Sequence, residues 1–442
     1  MTNPVSFKPY IGTRDFYPED MDFRNWMTGR LRGVCGGYGY REYSAPILEP
    51  VSLYEIKSSE EIVSEQLYRF TDRGDRDVAI RPEMTPTLAR LVAGRIKQLS
   101  RPLRWFSIAN FMRYERPGRG RLREFYQLNV DLIGTSAPSA DAEIFAMGLD
   151  LLRSFGASDD MFVLRFNDRR ILDGWFKDMP AEKLRAVGRL LDKKDKIGTE
   201  EFESQLKAEL GDDALVKQVF EYLELTVDSL VAAADAGRVD AEVADNLKQL
   251  VALLEPARGA DGSLPVEFSP GIVRGFDYYT GVIFEIYDRH PDNQRALFGG
   301  GRYDRLIGLF GKEDVPAVGF GMGDVTLENF ITDHGLRPDA DTSSGAFLAL
   351  FAADFQADNL KLARELREQG VLVETALEPT KKLGKQFELA EKKGRRFVLL
   401  QGADELERGV VRVKDLTTGD QTDVDRGELA ARLREWPAAK GD

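Results

Sequence analysis

Apolar residues recur at helical spacing between residues 17 and 33, where Met21, Phe23, Trp26, Met27 and Leu31 share one side of a 3.6-residue repeat. The run Gly36-Gly37-Tyr38-Gly39-Tyr40 predicts the end of that helix. Strand-like runs follow at 66–71, 78–81, 104–113, 124–133 and 161–166, with a helix signature over 83–97 among them. Strands that neighbour strands, with helices interspersed, predict an antiparallel sheet in an α+β domain, not an alternating βαβ fold. Between about 172 and 260 the pattern turns helical and acidic, carried by Leu184, Val187, Leu190 and Leu191, then Val219, Tyr222 and Leu223, then Leu247, Leu250, Val251 and Leu254. Strand-like sequence resumes at 272–277 and 282–287, so this stretch reads as a helical insertion. The polar, Gly- and Pro-containing segment 332–345 reads as a linker. A clean alternation follows: strand 346–352, helix 354–369 closed by Gly370, strand 371–377, helix 380–393, then strands 396–401 and 410–416. That predicts a small C-terminal α/β domain.

At 442 residues the chain is too long for one ordinary core, and two or three domains are expected. Its 43% hydrophobic and 31% charged residues are those of a globular protein. No run approaches the roughly 18 apolar residues of a membrane helix. Residues 1–8 lack an apolar signal core, so a soluble protein with no membrane association is expected. One cysteine, Cys35, leaves no internal disulfide and no thiolate metal cluster, which fits a reducing cytoplasm. The two histidines, His290 and His334, lie in polar sequence and are expected to be solvated, so zinc hydrolases and Ser/His/Asp triads are poor readings.

Charge then changes the picture. A net charge of −13 argues against nonspecific nucleic-acid binding. Yet residues 101–123 carry seven arginines against Glu115 alone, and residues 381–396 carry seven Lys/Arg against Glu388 and Glu391. The second zone reads equally well as a solvated face. The first encloses Arg113-Tyr114-Glu115-Arg116-Pro117-Gly118-Arg119-Gly120-Arg121-Leu122-Arg123 between two strand-like flanks. Glycines let backbone approach phosphate, and guanidinium forks match phosphate oxygens. Phe125 follows, placed to stack on a base, and Glu115 suits an ammonium, a metal or a base edge. No Walker lysine loop, GxGxxG-plus-helix or kinase signature is present. The segment therefore predicts an ATP site built on a hairpin.

On the following strand Gln127, Asn129 and Asp131 share a face by period-two alternation, opposite Leu128, Val130 and Leu132. Such a polar row lines either a pocket or solvent. Glu83 and Thr85 sit at a strand-to-helix junction, where Thr85 or Thr87 also reads as a helix cap. The segment 273–281 adds Arg274, Tyr278 and Tyr279 beside a turn, and Gly299-Gly300-Gly301 reads as a turn before a helix, where backbone is closely approached.

Together these segments resemble class II aminoacyl-tRNA synthetases, and within them the histidyl-tRNA synthetase family, over nearly the whole chain. Gly12-Thr13-Arg14-Asp15 is similar to that family's N-terminal signature. Residues 39–50 resemble class II motif 1, whose helix and strand form a dimer interface, and 111–127 resemble motif 2. Residues 274–279 and 300–304 are similar to the two histidine-binding signatures peculiar to the family, and 346–437 to the class IIa anticodon-binding domain. The resemblance implies a catalytic domain in two parts (1–171 and 263–333), a helical insertion domain (172–262), a linker (334–345) and an anticodon-binding domain (346–442).

It also implies roles. Arg113 would hold the histidine carboxylate and the α-phosphate, with Arg274 on the α-phosphate as the second catalytic residue. Glu83, Thr85 and Gln127 would bind the α-amino group, with Met84 also among the histidine-binding residues. Asp131 and Tyr279 would grip the imidazole nitrogens, with Tyr278 beside them. Glu115, Arg121, Phe125 and Gly323 would serve ATP, with Mg²⁺ bridging its phosphates and no protein metal ligands assigned. A homodimer acting on L-histidine, ATP and tRNA(His) is implied. Two departures stand out. Thr326 occupies the place of the motif 3 arginine over the γ-phosphate, which would pass that work to another cation such as Arg121 or Arg302. Asp131 stands where some members have glutamate. The alternative reading is a non-catalytic paralogue, the regulatory subunit of ATP phosphoribosyltransferase in histidine biosynthesis, which usually lacks the anticodon-binding domain and the motif 2 arginines.

Overall fold

The alternation read in residues 124–133 becomes the middle of a wide sheet. In this computed structural model, which describes residues 6–55, 62–191, 193–273, 278–293, 295–311, 313–338 and 345–436, the chain forms two compact units, Met1–Leu336 and Arg337–Asp442. The first holds strands β1 (Arg41–Glu42), β2 (Leu48–Pro50), β3 (Tyr68–Thr71), β4 (Asp77–Ile80), β5 (Leu103–Met112), β6 (Glu124–Ile133), β7 (Phe162–Asp168), β8 (Val266–Phe268), β9 (Val282–Asp288), β10 (Ala296–Arg302) and β11 (Ala317–Gly323). Eight of them form one sheet in the order β1-β5-β6-β11-β10-β9-β7-β8, antiparallel except at its two edges, while β2-β4-β3 form a small antiparallel sheet. The mixed α+β class with an antiparallel sheet is thus observed.

The large sheet has two different faces, as alternation dictates. Leu128, Val130 and Leu132 of β6, Val318, Phe320 and Met322 of β11, and Phe162, Leu164 and Phe166 of β7 are buried in one core. The helices Pro18–Gly37 and Pro138–Arg153 supply the other half of that core, through Phe23, Met27, Leu31 and Cys35 and through Ile144, Phe145, Leu149 and Leu152. The first helix runs through Gly36 and Gly37, which the sequence read as breakers; the chain turns at Gly39, with φ of 79°. Six helices between Ala181 and Leu253 fill the acidic stretch. Their apolar stripes join the same core, and Asn167 Nδ2 donates to the Tyr222 hydroxyl at 2.9 Å.

The opposite face is covered at one end by the helix Thr85–Arg95, whose Leu88, Ala89 and Val92 pack with Ile133, Leu103, Ala317, Tyr278 and Tyr303. Further along, β10 and β11 contribute Gly299, Gly301, Gly319, Gly321 and Gly323 to this face, opposite Gln127, Asn129 and Asp131. The glycine triplet is therefore a strand and not a turn before a helix. The period-two signal was lost because these positions carry no side chain to alternate. Only a short 3-10 turn, Ile307–Phe310, comes after it.

Arg302 ends β10 and is buried against Asp141, its Nη2 2.6 Å from Oδ2, with Nη1 donating to the Thr135 carbonyl. His334 is also not a free loop residue: Nε2 lies 2.8 Å from Asp288 Oδ1, with the His290 ring 5.6 Å away. Polar sequence hid this cluster because its partners, Asp288, Asn293 and Asp333, are themselves polar. Among the described residues no helix is long and apolar enough to cross a membrane.

The second unit is a five-stranded sheet of β12 (Ala346–Leu348), β13 (Val373–Thr375), β14 (Phe397–Leu400), β15 (Val410–Asp415) and β16 (Gln421–Asp425), in the order β13-β12-β14-β15-β16. Residues 371–372 stay outside β13, and β16 was not predicted, because only Val424 of its five residues is buried. The helices Ala403–Arg408 and Leu429–Arg434 were also not predicted; the first buries nothing. The basic zone divides: Arg396 pairs with Asp415 at 2.8 Å inside the unit, and Lys393 and Arg395 pair with Glu374. Lys381, Lys382, Lys385 and Lys392 are exposed and make no ion pair among the described residues.

Tight strand contact makes Gly300 a test of the fold. A Cβ there would lie 2.0 Å from the Gly319 carbonyl oxygen, a backbone atom that cannot give way. Gly300→Ala is expected to cost on the order of 3 kcal/mol, at the upper end for overpacking, read as a lowered midpoint in thermal unfolding of the full chain.

Candidate active site

The glycine-lined face is where the polar row of β6 becomes a cavity. Seven predicted side chains, Glu83, Thr85, Arg113, Gln127, Asp131, Tyr278 and Tyr279, line one cavity together with Asn129, Tyr303 and a glycine floor at 299, 319 and 321. They arrive from four separate parts of the chain. Glu83 and Thr85 come from the β4-to-helix junction, Arg113 from the end of β5, the polar row from β6, and Tyr278 and Tyr279 from the approach to β9. The floor has to be glycine: a Cβ at 319 would meet Asp131 Oδ1 at 2.3 Å, and one at 321 would meet Gln127 Cδ at 2.8 Å.

Two carboxylates sit at different depths of chemistry. Glu83, 2% exposed, accepts a hydrogen bond from the Tyr278 hydroxyl at 3.1 Å. Asp131, 4% exposed, accepts one from the Tyr303 hydroxyl at 2.5 Å. Burial pushes the Asp131 carboxyl up from 3.8 to about 7, against the opposing pull of the Tyr303 bond. Burial likewise raises the phenols of Tyr278, Tyr279 and Tyr303, so all three are hydrogen-bond donors at neutral pH. Tyr303 is a site residue that sequence reading did not assign. The only signal for it was its place four residues after Gly299 in the glycine segment.

Arg113 bridges two parts of the site. Its Nε donates to the Pro82 carbonyl at 2.9 Å, and its guanidinium lies 5.3 Å from the centre of the Phe125 ring. Phe125 in turn stacks on Phe111 at 5.7 Å. The loop beyond is closed by the bond from Arg113 N to Arg123 O at 2.9 Å and by mutual bonds between Gly118 and Arg121. Gly12 accepts from the backbone N–H groups of Arg123 and Glu124, and Arg14 pairs with Asp324 at 2.5 Å, tying hairpin to helix Asp324–Asp333. Glu115 and Arg121 form an ion pair at 2.6 Å beside this hairpin. Gly323 pairs with Gln127 in the sheet and precedes that helix.

Two expectations change. Met84 is fully buried beneath the site against Ala109 and Phe111 and does not line the cavity. Arg302 is consumed by Asp141 and is not a spare cation for a phosphate. Arg274 lies outside the described residues. Thr326 turns its hydroxyl to the Leu297 carbonyl at 2.7 Å, so the motif 3 departure is an internal bond of the scaffold.

A glycine-floored cavity beside an arginine hairpin matches a known family. Residues 12–326 match the family model described as histidyl-tRNA synthetase. The chain belongs to the histidyl-tRNA synthetase family. Residues 333–436 match the model described as an anticodon binding domain. Similar full-length relatives are the histidine-tRNA ligases of Leptospira biflexa, 43% identical over 96% of this chain and 97% of that one, and of Opitutus terrae, 38% identical over 98% and 99%. The histidyl-tRNA synthetase structure from Nostoc sp. shares the fold, with a TM-score of 0.84 at 22% identity, covering 97% of this chain and 99% of that one. The family's two-unit organisation is that of this chain: a catalytic α+β unit and a separate C-terminal unit.

The buried acid gives a pH signature. The native carboxyl of Asp131 holds its proton to about pH 7, above the ordinary 3.8, so the native state loses stability as pH rises between those values and levels off above them. Asp131→Asn keeps an acceptor for Tyr303 and cannot ionise. The variant is expected to gain stability over the parent at pH 8 relative to pH 4, by on the order of a few kcal/mol, seen as a raised melting temperature at pH 8. Thermal melts at the two pH values check it; a gap independent of pH would contradict it.

Proposed function

We propose that this chain is a histidine-tRNA ligase, which activates L-histidine with ATP to histidyl-adenylate and transfers it to the 3′ end of tRNA(His). One observation carries the reading: side chains from five separate parts of the chain converge on one polar cavity, with Arg113 between that cavity and the Phe125 ring.

In the first step a histidine carboxylate oxygen attacks the α-phosphorus of ATP. A new P–O bond forms and the bond to pyrophosphate breaks. The nucleophile is already an anion, so no side-chain base is required. Arg113 neutralises charge on the carboxylate and the α-phosphate, an electrostatic contribution preorganised by its bond to Pro82. Arg274 shares that task on the strength of the resemblance. Glu83, Thr85 and Gln127 hold the substrate α-ammonium. Asp131, oriented by Tyr303, and Tyr279 hold the imidazole nitrogens. Phe125 carries the adenine, with Glu115, Arg121 and Gly323 around the nucleotide. Among the described residues no three His, Cys, Asp or Glu side chains are placed to hold a metal ion. Mg²⁺ would accompany the ATP phosphates, and no step above depends on it. In the second step a terminal ribose hydroxyl of the tRNA attacks the adenylate carbonyl and AMP leaves.

The four unpaired lysines between 381 and 392 are proposed to meet the tRNA backbone. The helical stretch 172–262 is assigned as the insertion domain, and 334–345 as the linker. A homodimer in the cytoplasm is part of the same reading, supported by the exposed Ile47, Leu48 and Phe70 on the small sheet next to the motif 1 segment.

ATP–pyrophosphate exchange with each amino acid tests the assignment. Exchange with histidine alone is expected. Absence of exchange with every amino acid would favour the regulatory paralogue, a reading the retained hairpin arginines and the anticodon-binding match disfavour. Arg113→Ala is expected to lose exchange by about 10²–10³-fold with circular dichroism unchanged. Asp131→Ala is expected to raise the histidine KM and leave the ATP KM in place.

A further inference from the structure

Thr326 shares a second pocket with an arginine that has no ion pair. Arg119 and Gly120 at the hairpin tip, Asp292 and Arg295 at the turn before β10, and Thr326 and Asn329 on the helix Asp324–Asp333 line it. Thr326 brings no charge: its hydroxyl is spent on the Leu297 carbonyl, and its methyl lies against Gly120, where a Cβ would come within 3.4 Å. Two guanidinium groups line the pocket. Arg119 is committed to Asp333 at 2.6 Å and to Asn293 at 3.3 Å. Arg295 is exposed and makes no ion pair among the described residues, with Asp292 or with any other acid.

The backbone that carries Arg295 is pinned on both sides. Two residues before it, the Asn293 amide donates to Asp288 at 2.6 Å and to Asp333 at 2.8 Å. Two residues after it, the Leu297 carbonyl accepts the Thr326 hydroxyl at 2.7 Å. Even a fully extended chain puts Arg295 within about 7 Å of Leu297, so its long side chain reaches the space beside Thr326. An anchored base with an unpaired guanidinium fork suits a phosphate ligand. The pocket also adjoins the nucleotide side of the site. Gly120 belongs to the hairpin that carries Arg113, Glu115 and Arg121, and Thr326 lies about one helical turn beyond Gly323, which pairs with Gln127. With the α-phosphate at Arg113, the two outer phosphates still need cations, and Arg121 is paired with Glu115.

We propose that Arg295 binds the β- and γ-phosphates of ATP, supplying from the turn before β10 the guanidinium that position 326 lacks. When the α-phosphorus is attacked, the electron pair of the breaking P–O bond leaves with pyrophosphate, and Arg295 pairs with that added charge. This rests on the ATP reading above and adds a residue to it.

Comparing ATP with AMP isolates the outer phosphates. Calorimetric titration of the full chain with each nucleotide, Mg²⁺ present, is the measurement. Arg295→Ala is expected to weaken ATP about tenfold or more and AMP about twofold or less. Arg295→Lys keeps the charge without the planar fork and is expected to fall between the parent and the alanine variant. In the exchange reaction Arg295→Ala is expected to raise the KM for pyrophosphate about tenfold or more and to leave the histidine KM within about twofold. Arg295 is exposed, so the variants are expected to melt as the parent does. Were Arg295→Ala to bind ATP like the parent, as a merely solvated arginine would, or to weaken ATP and AMP alike, the inference is overturned. It is equally overturned if the selective loss of ATP appears in Arg119→Ala and not in Arg295→Ala. A parent chain that binds neither nucleotide would instead overturn the ATP reading itself.

Discussion

Strand β6 is held on both sides, by β5 over ten paired residues and by β11 over seven, and its register admits no slip. Because side chains alternate strictly, that single register decides two things at once. It commits Leu128, Val130 and Leu132 to the helices beneath, and it commits Gln127, Asn129 and Asp131 to the cavity above. The hydrophobic burial of one set fixes the geometry of the other. The helices at Pro18–Gly37 and Pro138–Arg153, far from any substrate atom, therefore set the spacing of the groups that would meet histidine.

Within that frame the electrostatics are arranged by tyrosines. Tyr278 donates to Glu83 and Tyr303 donates to Asp131, so a buried phenol orients each carboxylate. Asp141, by contrast, is locked to Arg302. Burial, outweighing the Tyr303 bond, raises the Asp131 carboxyl, the kind of perturbation that marks functional sites. Arg113, proposed for the phosphate side, is held among the described residues through a backbone carbonyl and a ring face.

Much of this was legible from residue pattern. The arginine hairpin, the polar row on β6 and most of the C-terminal α/β order follow from periodicity and glycine placement. What was missed has specific causes. The glycine strand β10 gave no alternation. β16 lies at a sheet edge with one buried residue. Met84 sat in a motif beside Glu83, yet its apolar side chain belongs to the core. Arg302 looked like a spare cation because Asp141 is distant in sequence and close only in space. Tyr303 depends on which groups face one another across strands, which a single sequence does not contain.

The glycine floor has a consequence for how such a site changes over time. At Gly299, Gly319 and Gly321 even a methyl group collides with backbone or with a wall residue, as at Gly319, where it would meet both Asp131 and the Val130 carbonyl. The floor is therefore closed to gradual substitution, and any drift toward a different amino acid would have to begin in the walls. Apart from the β6 row, those walls come from loops and strand ends on separate parts of the chain, so they can vary one at a time. The result is a pocket whose ancestry is recorded in its base and whose selectivity is written around its rim.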